Sequence, residues 1–81
     1  MDSDSVKFFK EFDRIIDFAK KNPKMTKKIA SLTDKLVRNF TVSLCEEENA
    51  ITSELDRRVK QAEYPYEDFL KSQIKLSITC H

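Results

Sequence analysis

TKKIASLTDKLVRNFTVSLCEEENAITSELDRRVKQA, residues 26–62, is the stretch on which the architecture turns. Ile29, Leu32, Leu36 and Phe40 recur at helical spacing, with Thr33, Val37 and Leu44 alongside. The stripe resumes at Ile51, Leu55, Val59 and Ala62. Pairs four residues apart, Asp34–Arg38, Glu54–Arg58 and Asp56–Lys60, support a helix on its exposed side. Between the two apolar runs lies Cys45-Glu46-Glu47-Glu48-Asn49, which interrupts the pattern. Two readings compete. One is a single helix over 26–62 with the acidic triplet as a solvated turn. The other breaks within 41–49, where Ser43-Leu44-Cys45-Glu46 has the form of a capping box. No glycine or proline marks a break there, so the continuous helix is the expectation. At 1.5 Å per residue it would be about 55 Å long, and part of it would project from so small a protein.

Outward from this stretch, the whole chain of 81 residues contains no glycine, where average usage near 7% would supply about six. Glycine serves positive-φ positions in hairpin turns, bulges and phosphate-cradling loops. Its absence excludes ordinary β-hairpin sheets, P-loops and dinucleotide folds, and leaves helices punctuated at Pro23 and Pro65. A first helix is expected over 3–21. Phe8, Phe9, Phe12, Ile15, Ile16 and Ala19 share one wide face, flanked by Val6 and Phe18. A last helix is expected over 65–76, with Phe69, Leu70, Ile74 and Leu76 as its apolar side. The fold class is therefore all-α: one domain, a three-helix bundle or hairpin with one long central helix, or four helices if residues 41–49 break.

The charge is small overall, +1, but unevenly placed. Residues 1–45 carry ten Lys or Arg against six Asp or Glu; residues 46–81 carry five against eight. No global field drives binding to nucleic acid or membrane. No apolar run approaches the roughly 20 residues that span a bilayer. The first residues show no signal-peptide pattern. Cys45 and Cys80 do not make a disulfide framework, so an intracellular, cytoplasmic protein with reduced thiols is expected.

Catalytic chemistry finds no support. The lone histidine, His81, is the last residue, and Glu46, Glu47 and Glu48 point about 100° apart on a helix, so they cannot converge on one ion. Cys45, Cys80 and His81 fit no structural-zinc spacing. No cofactor and no metal are expected. Three clusters remain as interaction candidates. The aromatic face (Val6, Phe8, Phe9, Phe12, Ile16 and Phe18) is wider than two short helices should cover, which points to a partner groove. Tyr64 and Tyr66 flank Pro65 as a candidate epitope. Lys20, Lys21, Lys24, Lys27 and Lys28 surround Pro23 as a weak anion site, without the arginines or stacking aromatics of sequence-reading proteins.

The expected function is a small helical interaction subunit or adaptor that completes a bundle with another protein or a second copy of itself. The alternative is a small regulator of a nucleic-acid-processing machine, acting through the lysine turn or the acidic half. Direct binding of nucleic acid is disfavoured. So is a membrane-surface role for helix 3–21, because Asp13 and Asp17 lie on its polar side.

Overall fold

A reversal of the chain after the second helix sets the architecture. The computed structural model describes residues 3–78. Five helices follow one another: α1 (Ser3–Lys21), α2 (Thr26–Asn39), α3 (Thr41–Glu46), α4 (Glu48–Ala62) and α5 (Glu67–Ser77). No strand occurs among the described residues.

The helix expected over 26–62 is broken twice, at Phe40 (φ −123°, ψ 18°) and at Glu47 (φ −123°, ψ 36°). At the first break the Phe40 N–H reaches back only three residues, to the Val37 carbonyl, at 3.1 Å. The Thr41 hydroxyl donates to the Val37 and Arg38 carbonyls at 3.1 and 3.2 Å. Side chain and tightened turn thus occupy acceptors that a continuing helix would use. The capping box that the alternative reading drew on does not form. Ser43 lies inside α3 and its hydroxyl donates to Asp4 at 3.1 Å. The energetic reason for the break is burial. On a straight rod Ile51 and Leu55 would stay near the phase of Ile29, with Val59 turning away from it, but all three would lie tens of ångströms along the axis, beyond any partner. Folded back, all three are buried, at roughly 1.5–3 kcal/mol for each large side chain removed from water.

Contacts fix the helix directions. Ser5 donates to Glu47 at 2.8 Å, and Arg58 reaches Asp13 further along α1. Helices α1 and α4 therefore run parallel. Phe18 lies beneath Lys28 near the start of α2, and Phe8 meets Phe40 after its end, so α1 and α2 are antiparallel. Lys71 lies beside Asp56, and α5 returns antiparallel to α4. The four long helices form a square in the order α1, α2, α5, α4. Helix α3 is the crossover that carries the chain diagonally across one end. The molecule measures 32 × 21 × 19 Å.

At the other end, Asn22 closes α1 by donating its amide to the Phe18 carbonyl at 3.1 Å. Helix α4 ends at Glu63, whose left-handed φ of 54° is where glycine would ordinarily sit. With none available, a glutamate takes the position at a cost on the order of 1 kcal/mol. Pro65 lies in the turn and α5 begins two residues later than expected, at Glu67. Of the expected pairs, Asp34–Arg38, Glu54–Arg58 and Glu67–Lys71 form, at 2.9, 2.7 and 2.5 Å. Asp56 turns to Lys71 across the helix pair, at 4.0 Å.

The expectation of reduced thiols does not hold at Cys45, which is disulfide-bonded. The other cysteine of the chain, Cys80, lies outside the described residues, as does His81.

Candidate functional site

The aromatic face closes on itself. Phe8, Phe9, Phe12, Ile15, Ile16 and Ala19 are all buried in the core, with Ile29 and Val37 of α2, Leu44 of α3, Ile51 and Val59 of α4, and Leu70 and Ile74 of α5. Phe8 packs edge-on against Phe9 and Phe40, with ring centroids 5.2 and 5.9 Å apart. Four helices and the α3 crossover cover what three were expected to leave open. Phe8, Phe9, Phe12 and Ile16 are therefore not a partner surface, and α1 has no free apolar face for a membrane. Of that cluster Val6 remains exposed, at 58%, and Phe18 is half-buried.

The tyrosines divide. Tyr64 is buried, and its hydroxyl has no hydrogen-bond partner among the described residues. Burial, with Tyr66 adding, raises the pKa of that hydroxyl. Tyr66 packs edge-on against it at 5.9 Å and stays 43% exposed. Tyr64 is thus a joint between α4 and α5, and only Tyr66 can touch another molecule.

Between α1 and α4 an open groove of about 530 Å³ is lined by Asp13, Asp17, Lys20, Arg57 and Arg58, among others. Its charges largely satisfy one another. Arg58 donates to Asp13 at 2.6 Å and to Glu54 at 2.7 Å, and its guanidinium lies 4.7 Å from the Phe9 ring centre. Arg57 adds two bonds to Glu54, at 2.5 and 3.0 Å. This is an electrostatic latch between parallel helices. Sequence reading found the Glu54–Arg58 pair by its spacing. It missed Asp13 and Phe9, because a contact 45 residues apart leaves no periodic signal. Hydrogen bonds from Arg57 and then Arg58 lower the Glu54 pKa from 4.5 to about 2. A carboxylate with a depressed folded-state pKa contributes stability above its ordinary pKa and loses it on acidification. The melting temperature should therefore fall as pH drops from 4.5 towards 2. Melting curves of Glu54→Gln across that window should show a flatter decline; an equally steep one would remove Glu54 as its source.

The lysine turn stays open. Lys20, Lys21, Lys24, Lys27 and Lys28 are all exposed, and the ion pairs among the described residues include none of them. Lys24, Met25, Thr26, Lys27 and Lys28 line a shallow depression of about 400 Å³, with Met25 44% exposed. Lys20 and Lys21 occupy the last turn of α1, where cations suit the helix dipole. Lys27 and Lys28 do not have that excuse. They are the second and third residues of α2, a helix with no acid in its first turn and no side-chain cap. Two cations at the positive end of a helix dipole each cost about 0.3–1 kcal/mol at low salt.

The chain matches no family model, no curated protein and no solved structure. The chemistry of the surface therefore carries the functional argument. Among the described residues no group of three or more His, Cys, Asp or Glu could hold a metal ion. No helix among them is long and apolar enough to cross a membrane.

Proposed function

We propose that the chain is a small, non-catalytic interaction module that docks a polyanionic surface through its lysine turn. The observation that carries this reading is the pair Lys27 and Lys28, placed where α2 would be more stable with acids. Lys28 is partly compensated by its place over the Phe18 ring, 5.4 Å from the centre, whereas the ion pairs among the described residues include neither lysine. A local rule broken in this way supports a functional reading of the position. Lys24 extends the same face, and Lys20 and Lys21 border it from α1. A rigid bundle presents all five on one end.

The bundle-completing adaptor expected from the sequence loses its surface, since the aromatic face is spent on the protein's own core. The regulator acting through a lysine turn keeps its surface. The expected cytoplasmic placement has one observation against it, the oxidised Cys45, because cytosolic thiols are ordinarily kept reduced.

One pair of measurements tests the reading. Lys27→Glu/Lys28→Glu should melt higher than the parent at low salt, because acids now face the helix dipole. The same variant should elute from a heparin column at clearly lower salt. A variant that melts higher but elutes unchanged would show that the lysines bind nothing, and the proposal would fail.

A further inference from the structure

Resting on that reading, we infer that the surface met by the lysine turn is an anionic phospholipid bilayer, with Met25 entering between the headgroups. Three observations converge on lipid. The first is Met25, an exposed apolar side chain at the tip of the turn, ringed by Lys24, Lys27 and Lys28. Against a phosphodiester backbone an apolar tip gains nothing. At a bilayer it leaves water for the acyl boundary while lysine stems lie along the apolar zone and their ammonium groups stay at the phosphates.

The second is composition. The turn from Lys20 to Lys28 contains no arginine and no exposed aromatic ring. Phe18, the nearest ring, is half-buried with the Lys28 ammonium 5.4 Å from its centre. Nucleic-acid surfaces use bidentate arginines and stacked bases. Lipid headgroups ask only for point charges. The third is size. The nine residues of the turn, 20–28, fall well short of the roughly 20–30 residues a side of a stable protein interface. A bilayer needs no matching shape, and each lysine near its surface strengthens binding about fivefold.

The acids at the same end set the tilt. Glu63, Glu67 and Asp68 belong to the neighbouring α4–α5 turn, and of these Glu67 is paired with Lys71. A bilayer approached by the α1–α2 edge meets the lysines first, while Asp17, one turn back on α1, lines the groove towards α4.

Co-sedimentation with vesicles tests this on the full chain. The protein should pellet with mixed phosphatidylcholine–phosphatidylserine vesicles and stay in solution with phosphatidylcholine alone. Lys24→Glu/Lys27→Glu/Lys28→Glu should weaken binding more than about 100-fold. Its fold is not at risk, because acids suit the start of α2. Met25→Ser should weaken it about tenfold with all charges kept, as one large apolar side chain is lost from the acyl boundary. Undiminished binding of Met25→Ser would overturn the insertion. Tighter binding to duplex DNA or an acidic peptide than to the mixed vesicles would overturn the lipid assignment and leave the polyanion reading standing. No binding to any of the three would overturn both.

Discussion

Phe12→Ala should destabilise the protein by about 3–5 kcal/mol, the range for emptying a large aromatic site in a packed core. Phe12 is fully buried and stacks on Phe8, ring centres 6.1 Å apart and planes within 13°. Folded domains hold only about 5–15 kcal/mol in all, and short ones tend to the low end. The variant should therefore be largely unfolded at 37 °C, or survive only in mild conditions. Urea denaturation followed by circular dichroism gives the number. Val6→Ala is the control: same helix, same edge of the aromatic face, but 58% exposed, so its change should stay within about 0.5 kcal/mol. Equal costs at the two positions would mean that the face is open in solution, and would return Phe8, Phe9, Phe12 and Ile16 to the surface that the adaptor reading needs.

The second large effect concerns Cys45. Its disulfide anchors α3, the short element that turns the chain across the bundle. A cross-link limits the unfolded chain's freedom, and breaking one costs about 2–4 kcal/mol in typical cases. Reductant should lower the denaturation midpoint by that amount. Cys45→Ser should reproduce the loss without reductant, and reductant should then have no further effect. A midpoint indifferent to reductant in the parent protein would mean that the cross-link contributes nothing to stability.

Much of the fold was legible in the residues themselves. The missing glycine, the aromatic face of α1 and the proline punctuation led to the helical class and to α1's ends. The Glu54–Arg58 and Glu67–Lys71 pairs followed from spacing. What was not legible was the reversal at Phe40. Ile29, Thr33, Leu36, Leu44, Ile51 and Leu55 hold a common phase across the break, so periodicity alone argued for a rod. Only the tertiary demand to bury Ile51, Leu55 and Val59 bends it. The same error displaced the site. With one helix fewer, Phe8, Phe9, Phe12 and Ile16 looked surplus; with α4 folded back they are the core. The lysines were visible from the start. The helix start at Thr26 was also legible, and it already put Lys27 and Lys28 at the positive end of a dipole; the uncapped first turn without an acid is what the structure adds.

The diagonal crossing has a practical corollary. An even number of long rods brings the beginning of α1 and the close of α5 to the α3 end, alongside Cys45. The basic turn occupies the opposite pole, along a body 32 Å in its longest dimension. A tag, bead or reporter attached at either extremity of the described chain therefore holds the molecule by its far handle. The lysines and Met25 are left pointing away from whatever it is tethered to.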